Sequence, residues 1–194
     1  QKYPDGNFPT CPYPNPEFKE ALEKAIETAE KNNAELIIAS DPDADRTGVA
    51  FREKNGEYRL LNGNEAGALL VYFILATKKA RNTIPDKPFI ISTIVTSPLP
   101  EKIAESFGVE TINVLTGFKY IGEAIDKNPD KNFVFGMEES IGYLVGAHAR
   151  DKDSISAAMT FAEAACYYKT LGLSLSDALE FLYGKYGYYR SALY

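Results

Sequence analysis

The sequence predicts an α/β protein: mostly parallel, mixed sheets with helices on both faces. Three observations carry that expectation. From Asn64 onward, short apolar runs of strand length alternate with helical patterns, the order that sets parallel strands side by side under a cover of helices. Upstream, a helical stripe leads directly into Leu36-Ile37-Ile38-Ala39, a continuous apolar run that reads as a buried, parallel strand. Finally, 45 % hydrophobic residues, with 13 Tyr and 11 Phe among 194, supply enough bulky apolar surface to offset chain entropy and fill a core.

The elements follow in order. Residues 3–16 are proline-rich and extended, because proline blocks helix at each step. A helix is expected next, with Asn15 as cap, Pro16 in its first turn and Glu17 at its positive end. Phe18, Leu22, Ala25, Ile26 and Ala29 share one face of it, and Asn32-Asn33 stops it. Lys54-Asn55-Gly56-Glu57 between two alternating segments signals a hairpin, since Asn and Gly tolerate positive φ. A second unit then begins: Asn64 is the expected cap of a helix whose apolar face is Leu69, Leu70, Phe73, Ile74 and Thr77. The boundary therefore falls near Gly63, dividing the chain into 1–62 and 63–194. Beyond it, strands are expected at 89–95, 109–115 and 133–135, and helices from Ser97-Pro98 to Gly108 and over 118–127, 154–171 and 176–186.

Charge and composition exclude some classes. The net charge of −6 argues against a broad nucleic-acid footprint. No apolar run approaches the roughly 18 residues of a membrane helix. Neither nucleic acid nor membrane is an expected partner. Cys11 and Cys166 form neither a metal knuckle nor a disulfide framework, which fits a reducing, cytoplasmic setting. The chain opens at Gln1 with no signal segment after it, as a processed or cut chain would.

Four motifs could carry chemistry. Asp41-Pro42-Asp43-Ala44-Asp45-Arg46 follows the first strand, and a looped backbone lets its three carboxylates converge. Converging carboxylates repel unless a cation lies between them, and an all-oxygen site suits Mg²⁺. The plain alternative is a solvated acidic loop. A calcium EF-hand fails, because its sixth and twelfth positions are Arg46 and Arg52. Arg46 either reaches a phosphate oxygen or simply balances the aspartates. Gly136-Met137-Glu138-Glu139-Ser140, at another strand end, places a carboxylate and a hydroxyl where both can address sugar hydroxyls; an ordinary polar loop is its alternative. Thr116-Gly117-Phe118-Lys119 joins a strand to a helix N-terminus that favours anions. Arg150-Asp151-Lys152-Asp153 precedes a helix and reads first as a solvated run or a cap. His148, the only histidine, is read as structural, and the tyrosine-rich end from Tyr183 as a packing or contact surface.

Taken together with Pro4-Asp5-Gly6-Asn7-Phe8-Pro9 and Pro14-Asn15-Pro16-Glu17, these motifs occur in the order of a known family. The chain resembles the α-D-phosphohexomutases, specifically the bacterial phosphoglucomutase branch related to phosphopentomutases. The resemblance implies that Asp41, Asp43 and Asp45 are Mg²⁺ ligands, with a phosphoserine phosphate as the remaining one, and that Arg46 lies beside that phosphate. It implies that Glu138 and Ser140 grip sugar hydroxyls, that Thr116, Gly117 and Lys119 contact substrate, and that Lys152 lies near the transferring oxygen. Glu139 between Glu138 and Ser140 matches the glucomutase pattern better than the mannomutase one. The implied reaction interconverts glucose 1-phosphate and glucose 6-phosphate, primed by a hexose 1,6-bisphosphate. Mannose and pentose phosphates are the alternatives.

The family's Ser-His-Asn loop and its last-domain phosphate-binding loop have no match in this sequence. The resemblance thus implies a fragment with one partial domain, the back of the second, and one complete domain, the third. Its expected partners are a sugar phosphate and the missing domains of the same parent chain, and by itself it is expected to be folded but inactive. A haloacid-dehalogenase-like phosphatase, with Asp41 as nucleophile, and a non-enzymatic sugar-phosphate-binding module are the rival readings.

Overall fold

The computed structural model describes residues 3 and 5–190; Pro4 of the first motif and the last four residues of the tyrosine-rich end lie outside them. Two sheets organise the chain. The first is antiparallel in the order β1-β2-β3, built from β1 (Leu36–Ser40), β2 (Thr47–Arg52) and β3 (Tyr58–Leu60). The hairpin between β2 and β3 forms as expected, with Gly56 at φ 92°. The parallel strand expected at 36–39 is instead antiparallel to β2 and half-buried. The reason is length: the chain turns back within residues 41–46, too few for the crossover that a parallel neighbour needs.

Two expected caps also move. The helix predicted from Asn15 begins later, as a 3₁₀ turn Lys19–Leu22 followed by α1 (Glu23–Asn32), and Asn33 closes it at φ 57°. Asn15 Oδ1 accepts the Glu17 N–H at 3.0 Å, closing a local turn. Pro16 is pressed against Gly48 of β2, where any Cβ would collide with the Pro16 carbonyl, so this segment follows the sheet surface. The second cap is Asn62. Its side chain accepts the Glu65 N–H at 2.9 Å while Glu65 accepts the Asn62 N–H at 3.2 Å, a reciprocal capping box opening α2 (Gly63–Ala80). Asn64 instead accepts the Ser97 N–H at 2.9 Å, tying α2 to the next loop.

The second sheet has the order β5-β4-β6-β7. Its centre, β4 (Pro88–Thr93), is parallel to β5 (Glu110–Val114) and β6 (Asn132–Glu138). The sequence did not show β7 (Gly142–Val145), which returns antiparallel beside β6 after the Glu139-Ser140-Ile141 turn. Period-two alternation sorts the strands into two layers. Phe89 and Ile91 pack with Phe118, Ile121 and Ile125 of α4 (Phe118–Lys127) on one face. Ile90, Phe135, Met137 and Tyr143 face the other way, into α2, α3 (Leu99–Ser106), α5 (Ser154–Thr170) and α6 (Leu175–Tyr186). This is the α/β architecture with helices on both faces. Helix α5 packs on β1 and β2 as well as β7, so it spans both sheets, and the residues just before it lie at their seam. Among the described residues, no helix is long and apolar enough to cross a membrane.

Candidate functional site

The acidic loop is shaped from inside by Asp41. This buried carboxylate accepts the backbone N–H groups of Asp45 and Arg46 on Oδ1, both at 3.0 Å, and Arg46 Nε on Oδ2 at 2.7 Å. Ala44 takes the left-handed conformation, φ 59°, that lets the chain fold back over it. The result places one carboxylate oxygen each of Asp41, Asp43 and Asp45 within 4.8 Å of one another. Burial pushes Asp41 upward, but the Arg46 amide and guanidinium outweigh it and hold the carboxyl below the usual range. Asp45 goes the other way: burial and the neighbouring Asp41 raise it, against the pull of Lys152.

Lys152 arrives from the second half of the chain. Its Nζ lies 2.9 Å from Asp45 Oδ2 and 3.2 Å from Asp151 Oδ1, over the Phe118 ring at 5.5 Å. Burial opposes its charge, and Asp45 and Asp151 outweigh that penalty and hold its pKa above the ordinary lysine value. The approach is fixed by backbone. Ser154 N–H donates to the Ala44 carbonyl at 3.0 Å, Thr47 N–H donates to Ile141 at 2.9 Å, and Arg46 forms an isolated bridge with Gly142.

Glu138 ends β6 on the same side. It is buried and accepts the Gly117 N–H at 2.7 Å, joining two of the predicted motifs at the carboxyl ends of parallel strands. Its pKa is raised by burial, against the Gly117 amide and the Lys152 charge. Glu139 turns away and accepts the Thr93 hydroxyl at 3.0 Å.

The predicted residues thus divide. Asp41, Asp43, Asp45, Arg46 and Lys152 form one cluster, and Glu138 and Gly117 flank it. Thr116 and Lys119 are exposed and Ser140 is half-buried; among the described residues none of the three is hydrogen-bonded or ion-paired to that cluster. Lys119 lies over the Tyr120 ring at 4.9 Å. His148 is exposed and paired with Asp153 at 2.9 Å. Asp153 also caps α5, as a cap reading of that charge run allows. Three contributors were missed: Phe118 under the Lys152 ammonium, Thr93 holding Glu139, and Gly142 against the Lys152 stem. Phe118 lay inside a motif already singled out, with no role given to it, and Gly142 left a trace as a glycine inside an apolar run, which marks close approach.

Residues 62–186 match the family model of phosphoglucomutase/phosphomannomutase, alpha/beta/alpha domain III, and residues 1–56 match that of alpha/beta/alpha domain II. The chain belongs to the α-D-phosphohexomutase family. A human phosphopentomutase is 40 % identical to this phosphohexomutase chain over 97 % of its length, and a Staphylococcus saprophyticus phosphoglucomutase is 39 % identical over 98 %. The chain spans about a third of the length of these curated relatives, 32 % and 34 %. A crystal structure of a phosphoglucomutase/phosphomannomutase family protein from Burkholderia thailandensis shares the fold at TM-score 0.68 and 22 % identity, over 92 % of this chain and 35 % of that one.

The donor set fits the Mg²⁺ that the resemblance implies. Asp45 Oδ1 is buried without a hydrogen-bond partner, with Arg46 Nε 3.6 Å away. An orphaned buried oxygen in an all-carboxylate cluster is what a hard cation would satisfy. Asp43 is exposed and borders, with Arg46, a shallow cleft of about 480 Å³ also lined by Phe8, Tyr13 and Asn15.

Proposed function

We propose that this chain supplies the metal-holding and sugar-gripping parts of a mutase that interconverts glucose 1-phosphate and glucose 6-phosphate through a phosphoserine and a sugar bisphosphate. The observation that carries the reading is the seam: the Asp41–Asp45 loop, Lys152 and Glu138 come from separated stretches of chain and meet at one place. Asp41, Asp43 and Asp45 would hold Mg²⁺, which when bound supplies positive charge against the phosphate being transferred. Arg46, oriented by Asp41, presents the rest of its guanidinium to phosphate oxygens. Lys152 brings a second cation near the reacting oxygen. Glu138, fixed by the Gly117 amide, accepts hydrogen bonds from sugar hydroxyls, with Ser140 beside it and Thr116 and Lys119 at the rim. Such a carboxylate–hydroxyl grip can hold either end of a sugar toward one phosphate donor, which is what a mutase must do.

Asp41 is poorly suited to be the nucleophile of a dehalogenase-like phosphatase, because both of its oxygens are engaged by Arg46 and the loop backbone. The division at 62/63, the cytoplasmic setting suggested by free Cys11 and Cys166, and the completion of the cleft by other domains of a parent chain belong to the same proposal. The similarity to a phosphopentomutase favours a pentose phosphate as the second substrate reading.

The test is a chimera in which this chain replaces the matching third of the Staphylococcus saprophyticus phosphoglucomutase. Mg²⁺-dependent mutase turnover is expected, with glucose 1-phosphate preferred over ribose and mannose 1-phosphates and loss of turnover in Asp43→Asn. A folded chimera that binds sugar phosphate but never turns over would overturn the assignment.

A further inference from the structure

The acidic loop already carries cations of its own. Asp41 is held by Arg46 at 2.7 Å and Asp45 by Lys152 at 2.9 Å, leaving exposed Asp43 as the carboxylate of the three with no ion pair among the described residues. The Arg46 pair is made within the loop. The Lys152 pair is made across the seam, by a side chain only 17 % exposed whose stem has to cross β7. It crosses over Gly142. A methyl group there would collide with Lys152 Cδ, lie 3.0 Å from Cγ and come within 3.6 Å of Glu138 Oε2. Gly142 has no positive φ that would demand glycine, so the backbone accepts alanine and the conflict is with Lys152 alone among the near atoms of the seam.

Resting on the metal reading above, we infer that Lys152 is a built-in cation that occupies Asp45 until a divalent metal claims it, and that Gly142 is the positioning residue that admits it. A metal on the three aspartates takes the Asp45 carboxylate through the unpartnered Oδ1 and adds two positive charges beside the ammonium on Oδ2, so the two cations repel one another across a single carboxylate. Displaced from Asp45, the ammonium remains next to Phe118 and Glu138, on the sugar side of the seam. Metal loading and delivery of Lys152 to the substrate are thereby one event.

Titration of the chain with MgCl₂ by calorimetry tests this, using wild type, Lys152→Met and Gly142→Ala, with amide NMR spectra confirming that each variant is folded. Lys152→Met is expected to bind about tenfold more tightly, the scale of one charge-assisted hydrogen bond released from competition. Gly142→Ala keeps every charge and only dislodges the lysine, and about threefold tighter binding or more is expected. In wild type, the Lys152 ε-methylene resonance, placed over the Phe118 ring, is expected to move on Mg²⁺ addition. Equal affinity in all three proteins overturns the inference and leaves the metal reading standing. A gain in Lys152→Met with none in Gly142→Ala also overturns it, because removal of charge alone would then suffice. Absence of binding in every protein removes the metal reading itself, and the inference with it.

Discussion

Glu138 is only 6 % exposed, and burial raises its pKa despite the Gly117 amide at 2.7 Å and the Lys152 charge. The sign of its effect on stability follows. A carboxyl whose folded pKa lies above its unfolded one favours folding below the unfolded pKa, and that contribution is lost as pH rises through the folded value. Glu138→Gln keeps an acceptor for Gly117 and removes the charge. Its urea midpoint is therefore expected to exceed wild type at about pH 7 and to match it at about pH 3.5, where both side chains are neutral. A variant less stable than wild type at neutral pH would mean that the charge is stabilised in place.

At the scale of elements, the start of α2 holds the Glu139-Ser140-Ile141 turn. Gly63 packs so closely on the Glu139 carbonyl that a Cβ would collide with it, and Asn62 caps the helix just before. Gly63→Ala sets backbone against backbone and is expected to cost about 1–3 kcal/mol in urea unfolding. Asn62→Ala loses the cap alone, at about 1 kcal/mol, with no shift of the Glu138 and Gly117 amide resonances. Elements with strong local signals were legible in the sequence: the Asn-Gly hairpin, α3 between Pro98 and Gly108, α4, and α5 beginning at Ser154. The direction of β1 was not, because an apolar run has no polarity and only the short return through residues 41–46 decides it. Nor was β7, whose four residues pair only because β6 lies beside them. The site shows the same division. The aspartates announce themselves by spacing, whereas Phe118, Thr93 and Gly142 act through contacts made by residues far apart in the chain.

For the whole molecule, function rests on how the two sheets meet. Backbone bonds from Ser154 to Ala44 and from Thr47 to Ile141 lock the acidic loop against β7 and α5, so the three aspartates and the Glu138 end of β6 share one surface. Phosphoryl transfer depends on positioning by a complete cleft, and the Ser-His-Asn loop of the family has no match among these residues. The chain by itself is expected to show no turnover of glucose 1-phosphate in a coupled assay with Mg²⁺ and glucose 1,6-bisphosphate. The central claim, that Asp41, Asp43 and Asp45 form the metal end of that surface, is tested most directly by adding substoichiometric Mn²⁺ to the isotope-labelled chain. Paramagnetic broadening should centre on the amides of residues 41–46, spread next to those of Lys152 and Gly142, and vanish in Asp43→Asn. Broadening centred on another acidic stretch, or unchanged in Asp43→Asn, would contradict it.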